Sequence, residues 1–175
     1  MAVNDVNDAN DTNGAHEVGA SPAAMPPGTP VGRDWIAAHI PHRGAMCLLD
    51  EVIDWDAQRI RCEARNHTSP DHPLRAEGRL AALCGIEYAA QAMAVHGALL
   101  RTGAAATPSL GYLASVRKVE IFVGRLDTVA VPLTIEAERI GGDDRQVLYE
   151  FALRAGGAVL LTGRAAVVLD ATPAA

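Results

Sequence analysis

The feature that most constrains this chain is an almost wholly apolar stretch, rich in alanine and leucine, that runs from Arg79 to Arg101. Alanine and leucine are strong helix formers, so the stretch is predicted to be one long helix. A helix that is apolar on all sides belongs in a protein interior. The other elements are therefore expected to wrap around it.

Three polar side chains interrupt the apolar stretch: Glu87, Gln91 and His96. Glu87 and Gln91 lie one turn apart on the same helix face, whereas His96 lies on the opposite side. Gln91 is expected either to orient the Glu87 carboxyl through a hydrogen bond or to bond a neighbouring backbone group. A buried carboxylate is costly unless it is paired or has a task. Glu87 is therefore a candidate proton donor with a pKa raised by apolar surroundings. The alternative is a structural Glu87 that pairs with an arginine.

Composition limits the remaining possibilities. The chain has 175 residues, of which 49% are hydrophobic, and this suits one domain with a tail. Residues 1–32 lack apolar periodicity and are predicted to be a disordered tail, leaving 33–170 as a single domain. The net charge is −6, with four acidic and no basic residues in the tail, which argues against nucleic acid as a partner.

The sequence shows no recognisable membrane span, signal peptide or metal-binding motif. The polar residues in the long helix argue against membrane insertion, and no signal peptide is recognisable. The three cysteines, Cys47, Cys62 and Cys84, fit no zinc spacing. We expect free thiols, a cytoplasmic protein, and neither metal nor cofactor.

The order of elements predicts an α+β fold. A short helix near Asp34 is followed by a strand-like run over residues 46–53 and an alternating strand over residues 59–65, which form a hairpin, and then by the long helix. Four strand candidates follow: residues 112–122, residues 129–139, an alternating run from Val147 to Leu153, and residues 159–169, with Gly156-Gly157 as a hairpin turn before the last. Meandering strands with short links favour an antiparallel sheet curled around one helix. The sparse polar stripe on that helix hints at a second sheet from a partner subunit.

Two histidines are candidate bases to accompany Glu87. His72 lies in the loop that leads into the long helix, where helix N–H groups can also polarise an oxygen. His42 lies in the tight loop I-P-H-R-G, residues 40–44. Either can instead be structural. His67 is a weaker third candidate, and His96 is predicted to be a core residue.

A small basic group is formed by Arg117, Lys118 and Arg125 near a strand end. It is interpreted either as a solvated face or as a landing patch for an acidic carrier or a phosphate-bearing ligand.

Two stretches resemble the β-hydroxyacyl-acyl carrier protein dehydratases, in particular their aryl polyene-type branch. They are I-P-H-R-G-A-M-C-L-L-D-E-V-I, residues 40–53, and G-I-E-Y-A-A-Q-A-M-A, residues 85–94. The resemblance implies the hotdog fold, in which an antiparallel sheet wraps one long helix and two subunits join their sheets. It implies a homodimer, or a heterodimer with another hotdog protein.

The resemblance also implies a chemistry. A 3-hydroxyacyl thioester, carried on the phosphopantetheine arm of acyl carrier protein, would lose water between a histidine base and a helix acid, without a cofactor. Glu87 matches the helix acid, and Gly85, Tyr88 and Gln91 are expected to contact the substrate. The family loop Gly-His-Phe-Pro-Gly is replaced by S-P-D-H-P-L-R-A-E-G, which places His72 one residue out of register.

Three functions therefore remain open at this point. The preferred one is a dehydratase that uses Glu87 with His72, or with His42 in its place. The alternatives are a hotdog thioesterase, in which Glu87 activates water, and a non-catalytic acyl-binding subunit of a dehydratase heterodimer.

Overall fold

A computed structural model of the protein describes residues 25–101, 111–143 and 145–169. In chain order the elements are β1 (Val31–Gly32), α1 (Arg33–His39), β2 (Glu51–Trp55), β3 (Arg59–Ala64), α2 (Gly85–Arg101), β4 (Tyr112–Ile121), β5 (Leu133–Gly142), β6 (Gln146–Ala155) and β7 (Ala158–Val168). Short 3₁₀ turns lie at Gly44–Met46, Asn66–Thr68 and Ala82–Cys84.

The seven strands form one antiparallel sheet in the order β1-β2-β3-β5-β6-β7-β4. Burial alternates along β3, β5 and β6, so one sheet face is apolar and the other is polar. The apolar face packs on α2, which contacts β3, β5 and β6. The predicted α+β arrangement, a sheet curled around one helix, is the one observed.

Strand pairing outweighs helix propensity at the start of the long helix. The sequence predicts a helix from Arg79, but α2 begins at Gly85. The carbonyl of Leu80 instead accepts from the N–H of Leu126 at 2.9 Å, and the N–H of Ala82 donates to the carbonyl of Gly124 at 3.2 Å, both in the segment that follows β4. These bonds hold the chain extended until a 3₁₀ turn starts the helix.

Several boundaries also differ from the sequence prediction. The predicted strand through residues 46–53 is regular only from Glu51, and β5 begins at Leu133 rather than at Val129. Residues 1–24 of the predicted tail lie outside the described residues. Residues 25–32 belong to the folded part, because β1 pairs with β2 and the N–H of Gly28 donates to the carbonyl of Trp55. In the described residues no helix is long and apolar enough to cross a membrane.

Candidate active site

The structure brings Glu87 together with His42. The Nε2 atom of His42 lies 3.0 Å from Oε1 of Glu87. The side chains are 26% and 33% exposed, so the pair lies at a partly open position instead of in the sealed core. Such a pair can hold and pass a proton, and it is reachable by a ligand.

The loop that carries His42 is held by its neighbour Arg43. The guanidinium of Arg43 donates to the backbone carbonyls of Ala37 at 2.6 Å and of His42 at 3.0 Å, and it also bonds the carbonyl of Ile40. Gly44 follows with a φ of +57°, a left-handed conformation that favours glycine. The sequence I-P-H-R-G therefore forms a tight loop whose shape fixes where His42 points.

Gln91 ties this loop to α2. Its side chain is fully buried, its Oε1 accepts from the N–H of Leu48 at 2.8 Å, and its Nε2 donates to the carbonyl of Met46 at 2.8 Å. The same Nε2 donates to Oε1 of Glu87 at 2.9 Å. The predicted orienting contact between Gln91 and Glu87 is therefore present, and Gln91 also anchors the segment after His42.

The pKa of Glu87 departs from the expectation. Burial acts to raise it, but hydrogen bonds from His42 and Gln91 act against burial and leave the pKa of Glu87 below its ordinary value. The predicted rise is wrong, because the sequence does not show these two donors. Glu87 is therefore a carboxylate at neutral pH.

His72 makes different contacts. Its Nδ1 accepts from the N–H of Leu74 at 3.2 Å, so the proton of the neutral ring is on Nε2, which donates to the hydroxyl of Tyr88 at 2.8 Å. That hydroxyl donates to Oδ1 of Asn66 at 2.8 Å. Burial lowers the pKa of His72, with smaller contributions from His67 and Arg75. His72 is thus a neutral, fully bonded residue, and no hydrogen bond or ion pair joins it to Glu87 within the described chain.

The three residues that were expected to contact the substrate are buried and contact other parts of this chain. Tyr88 is completely buried, as is Gln91. Gly85 is also buried, and a Cβ there would lie 2.7 Å from Cδ2 of Leu153. A substrate contact for these three residues stays a prediction.

His67 and His96 are buried. His96 is fully buried, as predicted, and lies within hydrogen-bonding distance of the hydroxyl of Tyr149 at 3.0 Å and of the carbonyl of Asp56 at 2.8 Å. The Nε2 of His67 lies 3.0 Å from the carbonyl of Val129. Neither histidine contacts Glu87.

The three residues of the predicted basic group have different surroundings in the structure. Arg125 pairs with the buried carboxylate of Asp127 at 2.5 Å, and Arg75 reaches the same carboxylate at 3.1 Å. The pKa of Asp127 is held well below its ordinary value, chiefly by the hydrogen bond from Arg125. Arg117 and Lys118 remain exposed on β4. Among the described residues no cluster of His, Cys, Asp and Glu is arranged to hold a metal ion.

Sequence reasoning missed Arg43 and Asn66. Arg43 was identifiable as the neighbour of His42 within a motif already singled out. Asn66 had no such signal, because its partner Tyr88 lies on a different element and the contact arises only from the path of the loop.

A comparison with models of protein families identifies the family to which this chain belongs. The model of the ApeP-like family, described as ApeP dehydratase, matches residues 35–174. The chain belongs to the ApeP-like dehydratase family. The resemblance to dehydratases of the aryl polyene type is confirmed.

Solved structures agree with the family. This ApeP-like chain is similar to the dehydratase heterocomplex ApeI:P from Xenorhabdus doucetiae, with 26% identity and a TM-score of 0.69, covering 78% of this chain and 91% of that one. It also shares its fold with the E. coli PaaI protein of the phenylacetic acid degradation operon, at 10% identity and a TM-score of 0.54, covering 78% and 88%. The hotdog fold is confirmed. A search of curated proteins found no match.

Proposed function

We propose that this ApeP-like dehydratase removes water from a 3-hydroxyacyl thioester carried on the phosphopantetheine arm of an acyl carrier protein, with Glu87 and His42 as the reacting pair. The observation that supports this most directly is the 3.0 Å contact between His42 Nε2 and Glu87 Oε1 at a partly exposed position. The family supplies the reaction class, and the contact supplies residues able to perform it.

Elimination requires one proton to leave the carbon next to the thioester carbonyl and one to reach the departing hydroxyl. The Glu87 carboxylate removes the first proton, since hydrogen bonds hold it ionised. Protonated His42 donates the second, so that water leaves as the carbon–carbon double bond forms. Glu87 then returns its proton to His42 across their contact, and the pair is restored.

His72 takes a positioning role in this proposal. Both ring nitrogens are used by Leu74 and Tyr88, so the ring offers no free lone pair to a substrate. Through Tyr88 and Asn66 it holds the loop before α2 against the helix.

We further propose that the chain works beside a second hotdog subunit. The Xenorhabdus doucetiae relative is a dehydratase heterocomplex. Within the described residues, β4 pairs only with β7, which leaves its outer edge open for a partner strand.

A mutant series tests the residue roles. Water loss from a 3-hydroxyacyl carrier protein is followed by mass spectrometry for Glu87→Gln, His42→Ala and His72→Ala, with the exposed His39→Ala as the matched control. The first two are expected to lose at least about 100-fold in kcat, as is usual for general acid–base residues. His72→Ala is expected to lose stability and to keep kcat within about 10-fold. A folded His72→Ala without activity, beside an active His42→Ala, would restore the assignment predicted from sequence.

A second candidate is the non-catalytic acyl-binding subunit, favoured by the full bonding of His72 and by the heterocomplex relative. The discriminating assay combines the wild-type or Glu87→Gln chain with a hotdog dehydratase subunit and the same substrate. A loss of activity in the Glu87→Gln complex supports catalysis by this chain. Equal activity of the two complexes assigns the chemistry to the partner. Release of free thiol without an enoyl product would instead identify a thioesterase.

A further inference from the structure

We propose that Arg33 is a positioning residue for the reacting pair: its side chain holds the segment that follows the His42 loop and so keeps His42 beside Glu87. The inference rests on the proposed function, in which His42 and Glu87 react with the substrate. Arg33 acts through the backbone of residues 47–50, and within the described residues no hydrogen bond or ion pair joins it to His42 or Glu87.

The segment between the His42 loop and β2 has no helix or strand of its own. Residues 47–50 follow a 3₁₀ turn and precede Glu51, where β2 begins. Cys47 has an extended backbone, with φ −78° and ψ 98°. Successive backbone groups of an extended chain point to opposite sides, so a side chain on one side reaches only alternate groups. Such a segment is fixed in place when side chains hold it from both sides.

Arg33 and Gln91 hold alternate positions of this segment. The Arg33 guanidinium donates to the carbonyl of Cys47 at 2.5 Å and to that of Leu49 at 3.3 Å. Gln91 bonds backbone groups of residues 46 and 48, each at 2.8 Å. Arg33 is the first residue of α1, which precedes the loop, whereas Gln91 belongs to α2. Arg33 therefore joins the two ends of the loop, and Gln91 joins the loop to the long helix.

Asp50 fixes the direction of the Arg33 guanidinium. Its Oδ1 accepts from Arg33 at 3.0 Å, and its Oδ2 accepts from the backbone N–H of Arg65 at 2.7 Å. Because Arg65 directly follows β3, Asp50 connects Arg33 to the sheet. Hydrogen bonds between charged partners are stronger than those between neutral ones. The Arg33 side chain is therefore held in one direction, although 39% of it is exposed.

Loss of the Arg33 side chain is expected to move the loop without unfolding the protein. Gln91 still holds its side of the segment, but the two ends of the loop are no longer joined, so His42 moves away from Glu87. A shift of about 1 Å at a reacting group can cost about 100-fold in rate. Lysine carries a point charge instead of a planar fork and does not reproduce the three directed bonds of Arg33. Arg33→Lys should therefore restore the contact only in part.

The experiment separates positioning from stability. Carbon NMR titration of the Glu87 carboxyl is recorded for wild type, Arg33→Ala and Arg33→Lys, with the exposed Arg59→Ala on β3 as the matched control. Burial raises the pKa of Glu87, and the hydrogen bond from His42 acts against it. Arg33→Ala is therefore expected to raise this pKa, Arg33→Lys to raise it less, and Arg59→Ala to leave it unchanged. In the dehydration assay, Arg33→Ala should lower kcat at least about 10-fold with KM within about 3-fold.

A double-mutant cycle provides the decisive comparison. In the His42→Ala background, Arg33→Ala is expected to cause no further change in the pKa of Glu87, because the residue that it positions is already absent. A shift that persists in this background is a direct effect of the Arg33 charge and overturns the proposal. An unchanged titration of Glu87 in Arg33→Ala, shown by urea unfolding to be folded, also overturns it. If Arg33→Ala does not fold, Arg33→Lys is judged by the same two outcomes.

The titration requires no turnover, so the two proposals fail separately. A wild-type chain that does not dehydrate the substrate contradicts the proposed function, yet its Glu87 titration still tests whether Arg33 places His42. Normal dehydration by wild type together with an unmoved titration in Arg33→Ala contradicts only the role of Arg33.

Discussion

At the scale of single residues, the ionisation of Glu87 is set by the groups that donate to it. The carboxylate is part of a buried helix, yet His42 and Gln91 both contact Oε1. Hydrogen bonds to the charged form lower a carboxyl pKa, whereas burial raises it. The observed balance favours a base over the proton donor that the sequence predicted.

Gln91→Ala tests this balance. Its loss removes one donor to Glu87, so the pKa of Glu87 is expected to rise. A carboxyl group with a depressed folded-state pKa stabilises the protein above its unfolded pKa, and this stabilisation is lost as pH falls through the folded pKa. In Gln91→Ala that loss is expected at higher pH. Carbon NMR titration of the Glu87 carboxyl measures the shift directly, and the acid limb of kcat should move with it.

The same substitution is expected to reduce the free energy of unfolding by about 3 kcal/mol, since Leu48 N–H and Met46 C=O lose their partner in the interior. Urea unfolding measures this, with the exposed Gln58→Ala as control. An unchanged titration of Glu87 in the folded Gln91→Ala variant would contradict the role assigned to Gln91.

At the scale of elements, close packing of α2 on the sheet depends on glycine at the start of the helix. A Cβ at Gly85 would lie 2.7 Å from Cδ2 of Leu153 and 3.7 Å from Cδ1 of Leu161. Contacts below 3.0 Å force neighbouring atoms to move. Leu153 is itself fully buried, so it has little space into which to move.

Two glycines of the same helix are expected to respond with opposite signs. Gly85→Ala is expected to lower the free energy of unfolding by about 1–3 kcal/mol through overpacking. Gly97→Ala would meet only the flexible end of Arg101, at 3.2 Å, and is expected to gain up to about 1 kcal/mol from helix propensity. Urea unfolding of both variants measures the difference, and a stabilised Gly85→Ala would refute tight packing at this point.

At the scale of the whole molecule, two buried histidines link stability to pH. Burial is the main cause that lowers the pKa of His72 and of His96. His72 is faced by His67, Arg75 and Tyr88, and His96 by Tyr149, Arg139 and the Asp56 carbonyl. Both rings therefore stay neutral in the folded protein at pH values at which the same histidines of the unfolded chain begin to bind protons.

The direction of the pH effect follows from these shifts. Below the ordinary histidine value of 6.5 the unfolded state binds more protons than the folded state, so stability falls as pH decreases. The slope is at most about 1.4 kcal/mol per pH unit for each histidine. Urea unfolding between pH 7.5 and 5.5 should show this loss, and His96→Gln should reduce its slope. The exposed His39→Gln should leave it unchanged, and an equal slope in His96→Gln would exclude His96 as a source.

Local sequence patterns were enough to predict strands, a shared helix face, a hairpin turn and the family of this protein. The alternation along Arg59–Ala64 and Gln146–Ala155 identified strands and their buried faces, because a pleated strand exposes every second residue. The spacing of Glu87 and Gln91 identified their shared helix face, and Gly156-Gly157 identified a hairpin turn. The two quoted motifs identified the dehydratase family. These features depend on neighbours within a few positions of the chain.

Long-range contacts decided the rest. The start of α2 was set by bonds to residues 124–126, which no local propensity records. His42 rather than His72 lies beside Glu87 because Gln91 anchors the loop after His42 to the helix, while Tyr88 contacts His72. The lowered pKa of Glu87 follows from these contacts, because its hydrogen-bond donors come from a distant segment and from its own helix. The sequence alone contained Glu87, and tertiary packing supplied its histidine contact and its charge.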